Sequence, residues 1–539
     1  MTVEERVHSA PQLPKQLSSQ HRKGSQQLLP GIPTLRVRVG SWQVAHLKQL
    51  PDSCKLRQLG GTCDCCGVCS PEFSDETGVH TDHHGEPMCD VLVAMPDATK
   101  RGSVIFGKNS DRPAGECQVL HYAPGRNREP DWRIECCYVS VPEIGESMAT
   151  LGCRPYWSWG YETGMNEAGV IGGNTAIFTR SFHNPKHRTT LGLTGMELLR
   201  LGLERGRSAE KALEVIVDLL GQYGQWGSAV RGKDHGKGSY ENAFLLADRR
   251  EAWVLETSGR SWVAERIREG VRSVSNQPTI RTRWTRDSSD IEQVARHSGW
   301  WDASLGALDF ARAFGDHEHY SRQVSHIRWR RTTQSLECNR GKIDVLRMMG
   351  ILRDHYEDTF LEGPQFHAYL PDFHTVCMHD SPTGFTWGNT ATSAVVELDP
   401  EGRRRPVFWV AYLPPCTSVY TAYPFGRDLP EVVTTVGKAG LRVRRPTEAP
   451  ADEFDAASLW WRLHRIVEEV AKDPSRRYDE IRSLLDPLER RHVEQLALVE
   501  GRGREVPQSE WDRILVEHIG DLVQSLEHLE ERWKIDRTL

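Results

Sequence analysis

Apolar and polar residues alternate in several short runs between residues 89 and 300, and this period of two predicts β-strands. The first run opens at Cys89, and a second one leads into the segment FGKNSDR at 106–112. A tight polar connection at Asp248–Glu251 predicts a hairpin between the strands on either side of it. The strands predicted here are Val91–Met95, Val104–Lys108, Cys136–Val141, Ala243–Ala247, Ala252–Glu256 and Trp262–Glu265.

Two helices are predicted between these groups of strands. Gly195–Glu204 and Ala209–Gln222 carry apolar residues at helical spacing, and Ser208 is a suitable N-cap for the second. Strands, a helical pair and then antiparallel strands favour layered sheets flanked by helices. Further along, the pattern predicts a helix at Ile343–His355 and strands at Ala394–Leu398 and Val407–Leu413.

The two ends of the chain differ from this middle part. Residues 1–88 are rich in Ser, Gln, Pro, His and Lys and have little apolar periodicity, which predicts a disordered or removable leader. Residues 450–539 form long helical stretches, and Asp486-Pro487 is expected to interrupt the second of them. The predicted organisation is therefore a leader at 1–88, a globular domain at 89–430 and a helical C-terminal extension at 450–539. The helices predicted in that extension are Ala456–Lys472, Tyr478–Val499 and Trp511–Trp533.

Composition and charge argue against several classes of protein. The 539 residues are 38% hydrophobic and 26% charged, with a net charge of −6, so nucleic acid is not an expected partner. We find no run of about 18 apolar residues that predicts a membrane span, and no apolar segment typical of a secretory signal. The 13 cysteines follow no disulfide framework. Reduced thiols in a cytoplasmic protein are therefore expected.

A cluster of cysteines in the leader raises the question of zinc. Cys66 and Cys69 have the spacing of a zinc knuckle, and three histidines follow at 80, 83 and 84. A second well-spaced pair of cysteines is missing, so an unstructured leader is the favoured interpretation and zinc the alternative. No metal and no cofactor are expected in the globular domain.

Cys89 is the residue that points to chemistry. Met88 precedes it, and the nearby second strand ends in a lysine and an aspartate. A thiol needs a base to become a good nucleophile, and an α-amine has a pKa of roughly 7.7–8.0, close to a working pH near neutrality. If the bond before Cys89 is cut, one residue supplies both groups. The sequence therefore predicts a hydrolase whose nucleophile is a terminal cysteine.

Four co-linear segments carry a family resemblance. They are Cys89-Asp90 at the start of a strand, FGKNSDR at 106–112, RPYWSWGYETGMNEAGV at 154–170, and NAFLLADRREAWVLE at 242–256 followed by VSNQ at 274–277. Together they resemble the secernin family, and more distantly the dipeptidase A family and the bile-salt and penicillin V hydrolases. The resemblance extends over about 89–430 and is strongest over 89–280. It implies an α+β fold, an αββα N-terminal-nucleophile hydrolase sandwich, and cleavage of small peptide or acyl-amide bonds through a thioester.

The resemblance also implies roles for individual residues. Cys89 takes the position of the nucleophile, Asp111 would hold the α-amine, and Lys108 stands where the wider superfamily usually has arginine. Asn174 would offer a main-chain N–H and Asn276 a side-chain amide to the oxyanion. A later arginine usually contacts substrate, and Arg328 is the candidate for this role. Lysine is a point charge rather than a planar fork, and Lys108 would stabilise the thiolate electrostatically.

Two alternatives stay open from the sequence. The first concerns function: an active dipeptidase-like enzyme, or a catalytically weak secernin-like protein that regulates secretion. The second concerns the route to a free Cys89: self-cleavage before Cys89, or translation from Met88 with removal of the methionine, which is the favoured route. The expected substrate is a small peptide or amide, and a homo-oligomer is the default expectation.

Overall fold

The structure is a computed structural model, and it describes residues 88–129, 131–362, 367, 373–381, 383–386, 388–501 and 506–536. All of these lie within one compact unit, Val79–Leu539. The predictions made for the leader, including its zinc alternative, fall outside the described residues except at Met88.

Most of the strands form two large antiparallel sheets. The first sheet has six strands in the order β14-β1-β2-β16-β17-β18, and the second has eight in the order β15-β13-β12-β11-β10-β9-β8-β3. The strands are β1 (Met88–Ala94), β2 (Val104–Pro113), β3 (Gln118–Ala123), β4 (Arg126–Asn127), β5 (Arg133–Glu135), β6 (Ser140–Pro142), β7 (Glu146–Ser147), β8 (Thr150–Pro155), β9 (Thr163–Asn166), β10 (Ile171–Ile177), β11 (Glu241–Ala247), β12 (Ala252–Ser258), β13 (Ser261–Ile267), β14 (Val271–Val274), β15 (Arg286–Asp287), β16 (Gly388–Leu398), β17 (Val407–Tyr412) and β18 (Thr421–Pro424).

Helices cover the outer faces of both sheets. The helices are α1 (Gly195–Arg205), α2 (Ala209–Tyr223), α3 (His235–Gly238), α4 (Ile291–His297), α5 (Phe310–Phe314), α6 (Arg322–Cys338), α7 (Val345–Leu352), α8 (Glu431–Thr434), α9 (Leu459–Lys472), α10 (Pro474–Glu500) and α11 (Gln508–Trp533). Helices α1 and α2 contact the eight-stranded sheet, α6 and α7 contact the six-stranded sheet, and β1 contacts β10 across the interface between the sheets. The predicted αββα sandwich is confirmed. Among the helices described, none combines the length and the apolar character that a bilayer crossing requires.

The side chains of β1 alternate between two cores. Val91 and Val93 belong to the core between the sheets, whereas Leu92 and Ala94 pack with α7 on the outer face. Because strand side chains alternate from face to face, Cys89 points between the sheets and Asp90 points toward the helices. The strand therefore separates a candidate nucleophile from the carboxylate next to it.

The helical pair on the eight-stranded sheet begins at two local caps. The hydroxyl of Thr194 accepts from the Glu197 amide, and the Glu197 carboxylate accepts from the Thr194 amide, which is a capping box. Ser208 accepts from the Lys211 amide and caps α2, as predicted. These caps fix where the two helices start.

The single strand predicted at Cys136–Val141 is wrong, because the chain reverses there. Cys136 donates its amide to the Val139 carbonyl at 3.0 Å, and the resulting turn joins β5 to β6. The Cys137 amide donates to the buried Glu197 carboxylate at 2.6 Å. The Glu197 side chain, which is distant in sequence, thus accepts a hydrogen bond from an amide that a continuous strand would have paired with a neighbouring strand.

The interruption predicted at Asp486-Pro487 is also wrong, since α10 runs through Pro487 without a break. A proline inside a helix loses one hydrogen bond and costs about 3 kcal/mol or more. Leu485 and Leu488 are buried on either side of it, and Glu489 pairs with Arg353 at 2.6 Å. These tertiary contacts offset the cost of the proline.

Two glycines on the eight-stranded half of the fold should respond to alanine in opposite ways. A Cβ on Gly160 would lie 2.2 Å from the Met196 main-chain carbon, whereas one on Gly221 in α2 would meet nothing within 4 Å. We expect Gly160→Ala to reduce the free energy of unfolding by about 1–3 kcal/mol through overpacking. Gly221→Ala should raise it by about 0.5–1 kcal/mol through helix propensity. Urea unfolding of both variants checks this, and equal effects would contradict the close approach of Gly160 to α1.

Candidate active site

Cys89 lies near the start of β1, the second strand of the six-stranded sheet, between β14 and β2. Its side chain is buried, and its main-chain N–H donates to Asn276 Oδ1 at 3.1 Å. The register of the ladder places Met88 opposite Asp111 and Cys89 opposite Ser110. The bond between Met88 and Cys89 therefore faces the end of β2, where the sequence predicted the catalytic partners.

The thiol of Cys89 is protonated while the residue is inside the chain. Burial raises its pKa to about 12, and the negative charges of Glu162 and Asp111 act in the same direction. The positive charge of Lys108 and the main-chain N–H of Asp111 oppose this shift but do not overcome it. Only a small fraction of the thiol would ionise near neutral pH, so the nucleophile needs a base.

Lys108 points into the layer between the sheets and is fully buried. Its Nζ donates to Ser110 Oγ at 2.8 Å and to Glu162 Oε2 at 3.1 Å. The lysine stem passes over Gly173 of β10, where a Cβ would lie 2.6 Å from Lys108 Cδ. Because Gly173 has no side chain, the stem of Lys108 can pack directly against β10.

Lys108 is one member of a buried quartet of charges, formed by Lys108, Glu162, Arg112 and Glu116. Arg112 Nη1 lies 3.3 Å from Glu162 Oε1, and Arg112 Nε donates to Glu116 Oε1 at 2.6 Å. Two cations and two carboxylates balance one another inside the protein, as buried charges require. Glu162 therefore neutralises much of the positive charge that Lys108 brings near the thiol.

A second buried charge cluster lies on the helix side of β1 and β2. Arg328 Nη1 is 2.6 Å from Asp90 Oδ2 and 4.0 Å from Asp111 Oδ2. Burial raises the pKa of Asp111 to about 8, assisted by the charge of Asp90 and opposed by that of Arg328. Thr390 donates to Asp111 Oδ1 at 2.7 Å, while Asp111 Oδ2 accepts no hydrogen bond among the residues that the structure describes. Asp111 Oδ2 is thus available to accept a further hydrogen bond.

Asn276 connects this cluster to Cys89. Its Oδ1 accepts from Arg328 Nη2 at 2.5 Å as well as from the Cys89 amide. Its Nδ2 donates to Thr175 Oγ1 at 3.0 Å and to the Ala176 carbonyl at 2.8 Å. The side chain is held from both ends, which sets its orientation beside Cys89 in the uncut chain.

Asn174 lies on β10, beside the first charge quartet. Its main-chain N–H donates to the Glu162 carbonyl at 3.3 Å, and its Nδ2 donates to Asn242 Oδ1 at 3.1 Å. Both donors are in use in this structure. Its part in oxyanion binding stays a prediction.

The structure brings Cys89, Asn276 and Arg328 into one hydrogen-bonded group, whereas Lys108 and Asn174 are hydrogen-bonded to Glu162. Asn276 and Arg328 contact Cys89 directly, since Arg328 Nη1 lies 3.4 Å from the Cys89 carbonyl. Arg328 is fully buried and forms an ion pair with Asp90. From this position it orients neighbouring groups. Its predicted contact with substrate stays a prediction. Sequence reasoning missed the parts played by Glu162 and Asp90, although both lie inside the quoted family segments.

Part of the chain is similar to a known family of peptidases. Residues 144–365 match Peptidase family C69. This is the family of the dipeptidase A and secernin proteins, so the match confirms the resemblance recognised in the sequence. The C69 segment includes Asn174, Asn276 and Arg328, whereas Cys89 precedes it. The match supports a hydrolase of the peptidase class.

Solved structures of hydrolases also overlap with the chain. A mutant of the conjugated bile acid hydrolase from Clostridium perfringens is 12% identical, with a TM-score of 0.37, over 63% of this chain and 93% of that one. The Caenorhabditis elegans orthologue of N-acylethanolamine-hydrolyzing acid amidase is 10% identical, with a TM-score of 0.28, over 57% of this chain and 92% of that one.

Proposed function

We propose that this protein is a cysteine-dependent amidohydrolase of dipeptidase type, with Cys89 as its nucleophile once the bond to Met88 is cut. One observation carries the proposal: the Cys89 nitrogen already lies 3.1 Å from Asn276 Oδ1, on a strand paired with the one that holds Asp111. An α-amine formed at this nitrogen would find hydrogen-bond acceptors in place. Asp111 Oδ2, which accepts no hydrogen bond among the described residues, is the second acceptor that we assign to it.

The proposed reaction proceeds in two steps. The α-amine of Cys89 takes the thiol proton, and the sulfur attacks the substrate carbonyl. The protonated amine then returns its proton to the leaving amine as the C–N bond breaks, which leaves a thioester. In the second step the amine activates a water molecule, which releases the acid and restores the thiol.

The negative charge that develops on the carbonyl oxygen needs hydrogen-bond donors. We assign this role to the main-chain N–H of Asn174 and the side-chain amide of Asn276, each worth roughly 100- to 1,000-fold in rate. Both groups donate to protein carbonyls or hydroxyls in the uncut chain. Their engagement with substrate therefore requires a local rearrangement after the chain is cut.

An open cleft near Tyr240 is the proposed entry for a small peptide or amide substrate. Tyr240 interacts with Arg112 and lies close enough to Cys89 for the charge of that thiolate to raise the pKa of the tyrosine. The same tyrosine lines a cleft whose wall includes Phe182, Trp226 and the cation of Arg260. Aromatic rings and a cation suit a peptide that carries an apolar side chain and a free carboxylate. Action in the cytoplasm and assembly into a homo-oligomer stay predictions of the sequence.

The state of the N-terminus in cells tests this proposal. We expect native protein to begin at Cys89 and to weigh less than the 61.2 kDa full-length chain by the mass of residues 1–88. An electrophile selective for amino-terminal cysteine should then label Cys89 alone, which peptide mapping would show. Active protein that keeps residues 1–88 would contradict the mechanism. A full-length chain without hydrolase activity would favour the secernin-like regulatory alternative.

A further inference from the structure

A second group of reactive side chains lies outside the candidate active site. It consists of His355, Cys377, His379 and Cys416, and we refer to it as the Cys2His2 cluster. All four side chains are buried, and one ligand atom from each lies within 4.8 Å of the others. The four residues come from three separate segments: the loop after α7, the segment that leads to β16, and the turn between β17 and β18.

Three distances within the cluster are close to those of a tetrahedral zinc site. His355 Nε2 lies 3.2 Å from His379 Nε2, and His379 Nε2 lies 3.6 Å from Cys377 Sγ and 3.2 Å from Cys416 Sγ. With Zn–N bonds of about 2.0–2.1 Å and Zn–S bonds of about 2.3 Å, a tetrahedron has edges of roughly 3.3 Å between nitrogens and roughly 3.6 Å between nitrogen and sulfur. The cluster therefore has the size that Zn²⁺ requires.

Hydrogen bonding alone does not account for these contacts. His379 Nε2 has three close neighbours: the His355 nitrogen and both sulfur atoms. An imidazole nitrogen carries either one proton or one lone pair, so it cannot bond well to all three. A cation at the centre would instead accept one lone pair from each of the four residues. Two thiolates would also balance the charge of Zn²⁺ inside the protein.

Hydrogen bonds around the cluster orient its side chains, as second-layer groups do around a bound metal. His355 Nδ1 lies 2.9 Å from Glu357 Oε1, which fixes Nε2 as the nitrogen that faces the cluster. Arg482 of α10 donates to the carbonyls of Cys416 and Ser418 at 2.9 Å each, and this holds the turn that carries Cys416. A carboxylate behind a ligating histidine is a common arrangement around zinc.

We propose that His355, Cys377, His379 and Cys416 bind a structural Zn²⁺ ion. Four protein ligands close the coordination sphere, so the site has no open position for substrate or water. The ion would tie the end of α7 to the β17–β18 turn and to the segment before β16. This proposal departs from the sequence-based expectation of no metal in the globular domain, and it is separate from the zinc alternative for the leader.

Metal content of the full-length chain is the first test. We expect elemental analysis of protein purified without chelators to find about one zinc per chain at this site. Cys416→Ser should lose that equivalent and lower the Tm by roughly 5–10 °C. The matched control is Cys338→Ser, because Cys338 is an exposed free cysteine outside the cluster, and it should keep both zinc and Tm. Unchanged zinc in Cys416→Ser would overturn the proposal, since any metal would then be bound elsewhere, for example in the leader.

A variant that fails to fold would also lack zinc, so a second variant leaves the four ligands intact. Glu357→Gln removes only the carboxylate behind His355, and we expect zinc affinity to fall by about 10- to 100-fold. Competition with a chromophoric chelator measures this change, while circular dichroism checks that the fold is kept. Unchanged affinity in this variant would contradict the proposal. A Cys377–Cys416 disulfide in freshly isolated protein, detected by non-reducing peptide mapping, would also overturn it.

Discussion

Replacing Cys89 with alanine, in a chain that begins at residue 89, is expected to reduce kcat/KM by at least about 10,000-fold. The variant keeps the α-amine but has no atom that can form the thioester. Removal of the nucleophile from a catalytic group of this kind costs about as much as removal of the whole group. The rate at which free amino acids are released from a dipeptide library measures this loss.

The matched control for this loss is Cys117→Ala. Cys117 is also a buried free cysteine, but it lies inside the chain and has no α-amine of its own to take the thiol proton, so it has no expected role in turnover. Its replacement should leave kcat/KM within a few-fold of the unmodified chain. Cys89→Ser with a free terminus should fall between the two, because a hydroxyl is a weaker nucleophile than a thiolate. Full activity of Cys89→Ala would contradict the proposed mechanism.

The second large effect concerns stability: Arg328→Met is expected to lower the free energy of unfolding by about 3–5 kcal/mol. Methionine fills much of the same space but leaves Asp90 buried without its cation, which lies 2.6 Å away in the native structure. It also removes the donor to Asn276 Oδ1. Urea unfolding monitored by tryptophan fluorescence measures the loss.

Arg330→Met is the control on the same helix. Arg330 is exposed, so its loss should change stability by no more than about 0.5 kcal/mol. The double variant Arg328→Met/Asp90→Asn should regain part of the stability, because the unpaired carboxylate is then gone. If Arg328→Met costs no more than Arg330→Met, the buried ion pair does not stabilise the site as the geometry indicates.

Local sequence patterns were sufficient to predict much of the frame around Cys89. The alternating run after Cys89 is β1, and the neighbouring run with Lys108 and Asp111 is β2, its partner in the sheet. These elements are predictable because strand period and cap residues act over a few neighbours. For the same reason Ser208 could be assigned as the cap of α2.

Features that depend on distant residues escaped prediction. Helix α6, which carries Arg328, has a polar composition with weak apolar periodicity, so its helical character was not apparent. The charge of Glu162 became important only when the fold placed it 3.1 Å from Lys108. The Cys2His2 cluster has a single short-range signal, Cys377-Met378-His379, and its other members lie on separate loops. Sequence spacing cannot reveal such pairings without the fold.

The balanced charge quartet around Lys108 also affects the chemical reactivity of Cys89 in the uncut protein. Alkylating and oxidising reagents attack thiolates much faster than thiols. With Glu162 offsetting Lys108 and burial raising the thiol pKa to about 12, Cys89 remains in the unreactive form as long as it is joined to Met88. Under the proposed mechanism, breakage of the bond between Met88 and Cys89 would end this chemical latency, so Cys89 would be protected from oxidants until it gains a free α-amine.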